Sequence, residues 1–145
     1  MSWGSRTALL VTLALVAVGC GTSESRREDT ARSQIEPRLV ELQDSARGAL
    51  ERHADAGDAS DAYTHREVID VAVVGDVVTW TLAVVTLAGD PRSWGYSSTS
   101  VGGCLVLSGT AGDGESLAAT AVECPRRLLD RARQPLNVEI DLLED

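Results

Sequence analysis

Residues 66–91, REVIDVAVVGDVVTWTLAVVTLAGDP, decide the fold that the sequence predicts. Two long runs of β-branched residues flank Gly75-Asp76, and a two-residue connection that begins with glycine is typical of a tight hairpin turn. In the second run, large apolar residues alternate with threonine and alanine, which indicates a sheet covered on one face only. Trp80 falls on the apolar face, so we expect it in the core; the alternative is a platform for a ligand.

A second hairpin is predicted in residues 101–125, VGGCLVLSGTAGDGESLAATAVECP. We interpret its glycine-rich pieces, SVGGC and TAGDGES, as turns, and a loop at residues 113–115 would place Cys104 directly opposite Cys124. Directly opposed residues of antiparallel strands have Cα atoms about 4.5–5.5 Å apart, a separation that a disulfide accepts. The alternative, a redox or metal-binding pair, lacks both a Cys-x-x-Cys motif and a histidine close in sequence.

An amphipathic helix is predicted upstream of both hairpins. Apolar residues and one histidine recur there at helical spacing: Ile35, Leu39, Leu42, Ala46, Ala49, Leu50 and His53. Pro37 is tolerated near a first turn, so the helix should begin close to it and end before Gly57, with a loop over residues 57–65. Charges of both signs occupy the other face, which favours packing on a sheet over lying on a membrane.

The predicted fold class is α+β, with one long amphipathic helix packed on an antiparallel β-meander of four to five strands and one hairpin disulfide. Strict alternation of apolar and polar side chains in residues 136–142 predicts the last strand. In element order alone, this arrangement is similar to the cystatin-like and nuclear-transport-factor-like layouts.

Residues 8–18 form a run that is apolar except for Thr12, preceded by Arg6 and followed by small residues up to Cys20. A helix of that length spans about 16 Å, which is too short for a hydrocarbon core of about 30 Å. The length fits the apolar part of a signal peptide; the alternative is a buried helix that stays in the fold. Beyond Cys20 the sequence becomes polar and charged, as is typical of a flexible tether.

Ala17-Val18-Gly19-Cys20 resembles a bacterial lipobox, in which the cysteine is lipidated and becomes the first residue of the mature chain. The resemblance implies a cleaved lipoprotein signal peptide (residues 1–19), a lipidated Cys20 with a flexible tether (residues 20–34) and one α+β domain (residues 35–145). It implies acyl chains such as palmitate on Cys20. With its single hairpin cysteine pair, the chain resembles small secreted lipoproteins of actinobacteria of the Streptomyces type, a family without an assigned function.

The chain of 145 residues carries a net charge of −9, and every one of its cationic side chains apart from two histidines is arginine. Without the leader and tether about 110 residues remain, enough for one domain with its own core. The acidic balance argues against nucleic-acid binding, which needs a basic face. It also argues against flat adsorption to anionic lipid, so we expect membrane attachment only through Cys20.

The sequence offers no recognisable catalytic motif. His53 and His65 lie twelve residues apart without metal-ligand spacing, so we predict no metal site. Ser-x-x-Lys, Gly-x-Ser-x-Gly and His-Glu-x-x-His are all absent, and we predict neither a cofactor nor a catalytic residue. Carboxylates are plentiful, so catalysis by acidic groups stays an alternative, which a pocket around His65 or Glu67 would favour.

Residues 90–100, DPRSWGYSSTS, gather Arg92, Trp94 and Tyr96 in a chain with 3% aromatic residues. Arginine and aromatic side chains are the usual anchors of interfaces, so we interpret these three, with the exposed sheet face, as a candidate interaction surface. The alternative is that Trp94 covers the edge of the core.

A basic patch follows Cys124. It comprises Arg126, Arg127, Arg131 and Arg133. We interpret it as the solvated face of a short helix or turn; the alternative is docking to an acidic surface, such as that of this protein, or to a phosphate headgroup.

Taken together, these patterns predict a lipid-anchored protein on the outer face of the cell membrane. Its domain is expected to bind an unidentified envelope protein or ligand without catalysis. Two alternatives stay open. One is a cell-wall enzyme or enzyme inhibitor that uses acidic groups of the sheet, and the other is a structural envelope protein.

Replacing Cys20 tests the anchor. The Cys20→Ala chain should move from the membrane fraction to the medium, because no acyl chain is left to hold it. Cell fractionation measures the redistribution, and the intact mass of the wild-type chain measures processing. Retention of the variant in the membrane, or a native chain that still begins at Met1, would contradict the prediction.

Overall fold

A computed structural model describes residues 23–89, 98–132 and 135–144. It confirms the α+β class, with a long helix on an antiparallel sheet and one disulfide between its strands. The elements are α1 (Ser23–Arg52), α2 (Ala56–Ala62), β1 (Val68–Val74), β2 (Val77–Gly89), β3 (Ser98–Thr110), β4 (Asp113–Val122), α3 (Arg126–Leu129) and β5 (Val138–Glu139).

The sheet is a meander in which β1, β2, β3 and β4 follow one another in space as they do in sequence. The first hairpin has the predicted turn, because Val74 pairs with Val77 and only Gly75-Asp76 lies between them. Gly75 has a φ of 63°, a left-handed conformation that glycine adopts without steric strain. The stretch that predicted the fold therefore forms the hairpin expected of it.

The main core lies between α1 and one face of the sheet. Trp80 is fully buried there, as predicted, beside Leu82 of the same strand and Leu105 and Leu107 of β3. From α1, Leu42 and Leu50 enter the same cluster and are also fully buried. Burying each such side chain contributes roughly 1.5–3 kcal/mol, so this contact is the main source of stability in the domain.

Helix α1 begins at Ser23, well before the predicted start close to Pro37, and it includes residues 23–34, for which the sequence predicted a flexible tether. Pro37 lies inside the helix, although proline there removes one main-chain hydrogen bond. Ala31 and Ile35 are buried in the main core before it, and Leu39 after it. Packing on both sides offsets the local penalty, which is about 3 kcal/mol in a helix interior.

Residues 57–65 are not wholly a loop, because α2 covers Ala56–Ala62. The Asp55 side chain caps this helix by accepting a hydrogen bond of 3.1 Å from the Asp58 N–H. Ala56 and Ala59 are buried against the main core, which explains why so short and polar a segment is helical. The prediction missed it because two small apolar residues give little periodicity.

The disulfide between Cys104 and Cys124 is confirmed, but the predicted register is wrong. Cys104 pairs with Val122, and Cys124 lies two residues further on, with its Cα 5.0 Å from that of Cys104. Thr110 pairs with Asp113, so the turn is shorter than predicted, and the register shifts between Ser108 and Thr110. A β-bulge of this kind cannot be counted from the spacing of cysteines.

Ser116 stabilises the irregularity in this hairpin. Its Oγ accepts a hydrogen bond of 2.7 Å from the Thr110 N–H and donates one of 2.6 Å to the Asp113 carbonyl. The hydroxyl thus takes the place of main-chain groups where the ladder is interrupted. Gly112, at a φ of 82°, supplies the left-handed residue in the turn.

The opposite face of the sheet carries a smaller core beneath α3. It consists of Ile69, Ala83, Cys104, Cys124 and Leu128. The disulfide is therefore part of a packed cluster that fastens the segment after β4 onto the sheet. The sequence pattern predicted that this face is exposed. The structure corrects this, because α3 covers one end of the face.

The last strand is confirmed but is short and parallel to its neighbour. β5 pairs with β3 through Val138 opposite Val101, and the Ile140 N–H donates to the Gly102 carbonyl at 2.7 Å. A Cβ added at Gly103 would clash with the Ile140 carbonyl oxygen. The SVGGC piece is thus the middle of β3 and not a turn, and its glycine permits close approach of the C-terminal segment.

Within the part of the chain described above, no helix combines the length and apolarity needed to cross a membrane.

Removing the disulfide should destabilise the domain. We expect the double variant Cys104→Ala, Cys124→Ala to lose about 3 kcal/mol of unfolding free energy, since the bond closes a loop of twenty residues. Urea unfolding of wild type and variant measures the loss. A reductant should destabilise the wild type by a similar amount and leave the variant unchanged; an equal response of both proteins would contradict the structure.

Candidate functional site

A partly buried ion pair joins α1 to the residue immediately before β1. The Glu67 side chain is 7% exposed, and its two carboxylate oxygens each accept a hydrogen bond of 2.9 Å from Nε and Nη2 of Arg38. Arg66 Nε donates a further bond of 3.2 Å to Glu67 Oε1. Paired hydrogen bonds between guanidinium and carboxylate planes are among the stronger polar contacts in proteins.

The pair holds Glu67 in its ionised form. Burial by itself would raise the pKa of the carboxyl, but the hydrogen bonds from Arg38 and Arg66 outweigh that effect and hold the pKa below its usual range. The pKa of Arg38 is raised by the hydrogen bonds it gives to Glu67 and Glu41. A carboxylate in this state accepts hydrogen bonds and does not donate a proton near neutral pH.

Aromatic and hydroxyl groups surround this pair. The Ser45 Oγ lies 2.8 Å from Nε2 of His65, and the His65 ring lies 4.7 Å from that of Tyr63. The Tyr63 hydroxyl donates to the Leu42 carbonyl at 3.2 Å, and burial raises the pKa of this phenol. Its ring also contacts Trp80, with centroids 4.8 Å apart. These contacts fasten the start of β1 to α1 and to the core.

The Ser45–His65 contact is the closest approach to catalytic chemistry in the described residues. A serine nucleophile needs a base that is itself oriented by a third group, and donors for an oxyanion. Nothing described in residues 23–89, 98–132 and 135–144 places a carboxylate on the other nitrogen of His65. Across those same ranges, no group of three or more His, Cys, Asp or Glu is arranged to hold a metal ion.

An apolar groove of about 380 Å³ separates α1 from the C-terminal segment. Its apolar lining comes from Ile35, Leu39, Val40, Ile140, Leu142 and Leu143. Arg32 lies at the rim and is occupied, because its Nη1 donates to the carbonyls of Asp141 and Glu144 at 2.8 and 2.9 Å. This arginine therefore fastens the C-terminal segment to the helix.

The end of β1 carries the most exposed apolar surface near a free strand edge. Val71 and Val73 are 44% and 45% exposed, and Val74 is 77% exposed. Helix α1 packs on β2, β3 and β4, while β2 is the only strand that pairs with β1 among residues 23–89, 98–132 and 135–144. We call residues 71–74 the open edge. Unpaired backbone groups and exposed valine side chains lie next to each other there.

The residues predicted from sequence fall into two groups. Cys20, Arg92, Trp94 and Tyr96 lie outside the described residues, so their roles stay predictions. Cys104 and Cys124 form the predicted disulfide.

The basic patch after Cys124 is partly engaged with the protein itself. Nη1 of Arg131 lies 3.4 Å from both the Asp70 carboxylate and the Ile69 carbonyl. Arg126 and Arg127 are exposed in α3, and Arg133 lies outside the described residues. Arg131 thus contacts an acidic side chain of this protein, as the alternative of docking to the protein's own acidic surface predicts. That contact caps the strand immediately before the open edge.

The chain matches no family model, no curated protein and no solved structure. The likeness to cystatin-like and nuclear-transport-factor-like layouts stays an analogy of element order.

Neutralising Glu67 should destabilise the domain in a pH-dependent way. We expect Glu67→Gln to lower the unfolding free energy by roughly 1–3 kcal/mol at pH 7, because Arg38 loses a charged acceptor. Glu67 has a depressed pKa in the folded state, so its contribution is present above the unfolded pKa of about 4.3 and is lost as pH falls through the folded value. The difference in unfolding free energy between wild type and variant should therefore become smaller below about pH 4.

Glu41→Gln is the matched control, since Glu41 binds the same guanidinium but is 62% exposed. Its effect should stay below about 0.5 kcal/mol. Urea unfolding at several pH values measures both variants. Equal losses for the two, or a Glu67→Gln gap that widens in acid, would contradict the assignment.

Proposed function

We propose that this protein is a lipid-anchored, extracytoplasmic interaction domain without catalytic activity, and that the open edge is its contact surface. The observation that carries the proposal is the exposure of Val71, Val73 and Val74 on a strand whose outer side pairs with no strand in the described part of the chain. Edge strands of native sheets are usually short, charged, bulged or covered, because a long, exposed, apolar edge strand pairs with other chains.

The open edge has none of these protections in its own sequence. Asp70 and Asp76 stand outside it, and residues 71–74 read VAVV without a charge or a proline. The bulge in the β1–β2 pairing lies earlier, between Val68 and Asp70, and Arg131 contacts the Ile69 carbonyl and the Asp70 carboxylate, both of which precede the open edge. A strand left open in this way is suited to main-chain pairing with an extended segment of a partner.

The position of α1 supports the anchoring part of the proposal. The helix begins three residues after Cys20, and its residue Ala31 is fully buried in the main core. The helical stretch before Ala31 is about 12 Å long at 1.5 Å per residue. A lipid on Cys20 would thus be linked to the domain through a short, regular spacer.

The polar cluster formed by Arg38, Arg66 and Glu67 supports binding over catalysis by acidic groups. An acid catalyst at neutral pH needs a carboxyl with a raised pKa, and the pKa of Glu67 is lowered by its arginine partners. Both Glu67 oxygens are also occupied by hydrogen bonds, which leaves them poorly placed for a substrate. We therefore assign this cluster to holding β1 against α1.

Site-specific photo-crosslinking tests the contact surface. A photoactivatable residue at position 73 of the full chain, expressed in cells and irradiated in intact membranes, should give a discrete protein adduct. Position 40 is the matched control, because Val40 is 57% exposed but lies on α1. Gel mobility and mass spectrometry identify the adduct. Equal labelling from both positions, or no adduct from position 73, would contradict the proposed function.

A further inference from the structure

Resting on that proposed function, we propose that the partner at the open edge is a second copy of this chain. The two β1 strands pair antiparallel about a two-fold axis at Ala72, so that two meanders form one continuous sheet. Three observations carry the proposal: the direction of the free backbone groups, the placement of the nearby charges, and the cap on Ile69.

The hydrogen bonding of the first hairpin fixes which backbone groups are free. The Ala83 N–H donates to the Glu67 carbonyl at 2.8 Å, so the backbone N–H and C=O groups of the odd-numbered residues of β2 point toward β1. Ala72 pairs with Thr79, and Val74 pairs with Val77. The backbone groups of Ala72 and Val74 therefore point toward β2. The N–H and C=O groups of Val71 and Val73 therefore point toward the unpaired side of the strand.

A two-fold axis at Ala72 uses these free groups in full. It sets Val71 of each copy opposite Val73 of the other, and residues paired in this way exchange both of their main-chain hydrogen bonds. The two half-exposed valines then cover each other on the helix side of the sheet. On the other side, Ala72 faces its own copy and Asp70 faces Val74, so no like charges are opposed.

Neighbouring registers are less favourable. A two-fold axis at Val73 would set Asp70 of one copy opposite Asp76 of the other, and directly opposed like charges destabilise a pair of strands. A two-fold axis at Val71 would require the Ile69 carbonyl to accept a hydrogen bond from the other copy, but Arg131 already contacts this carbonyl at 3.4 Å. The charges and the arginine thus select the register centred on Ala72.

The contact is small, so it should be weak in solution. One edge strand from each copy buries far less than the total of about 1,200 Å² that characterises stable interfaces. A lipid anchor confines the copies to one plane and raises their effective concentration. In the pair, both α1 helices lie on the same side of the joined sheet, so both anchors can reach one membrane when the two-fold axis is normal to it.

A cysteine at the axis tests the register. In membranes from cells that produce the full chain, Ala72→Cys should give a disulfide-linked dimer on mild oxidation, because the two residues face each other within disulfide range. The Val74→Cys cysteines would stand roughly 13 Å apart along the strands, too far for a disulfide. The dimer band on a non-reducing gel should be several-fold stronger for Ala72→Cys than for Val74→Cys or wild type, which share the Cys20 background.

A second change separates pairing from chance collision. Val73→Lys added to Ala72→Cys should abolish the dimer, while Val40→Lys should leave it unchanged; thermal unfolding confirms that each variant is folded. Equal dimer from positions 72 and 74 would overturn the proposal. If position 73 photo-crosslinks only to a different protein and Ala72→Cys forms no dimer, self-pairing is refuted while the open edge stands as a contact surface.

Discussion

The burial of α1 against the sheet is the constraint on which the other described features depend. Its apolar side chains cover Trp80, Leu105 and Leu107, and the helix spans β2, β3 and β4. That same packing brings Arg38 over Glu67, so the main polar cluster is fixed by the apolar core. Strand β1 lies beyond the three strands that α1 covers, which is why the open edge faces solvent.

Much of the architecture could be predicted from local patterns. The Gly75-Asp76 turn, the alternation around Trp80 and the disulfide follow from rules that involve neighbouring residues or simple pairing. The errors have a common cause. Helix residues 23–34 and α2 depend on burial of a few small or isolated apolar side chains, and the β4 bulge depends on one serine hydroxyl.

The candidate site was less accessible from sequence than the fold. Glu67 was a candidate through its position beside His65, but its partner Arg38 is twenty-nine residues away and Ser45 is twenty from His65. No spacing rule connects such residues, because only the packing of α1 brings them together. The exposure of Val71 and Val73 was equally hidden, since their alternation with Asp70 and Ala72 reads the same for a buried strand as for an uncovered one.

The smaller core beneath α3 affects when the domain becomes fully stable, because it contains the disulfide. Cys104 and Cys124 fasten the chain after β4 beneath α3, and their bond forms only in an oxidising compartment. In the reducing cytosol, a loss of about 3 kcal/mol raises the unfolded-to-folded ratio on the order of a hundredfold. For a protein exported as proposed here, the newly made polypeptide would remain pliable enough to thread through a translocation channel and would consolidate only on the far side.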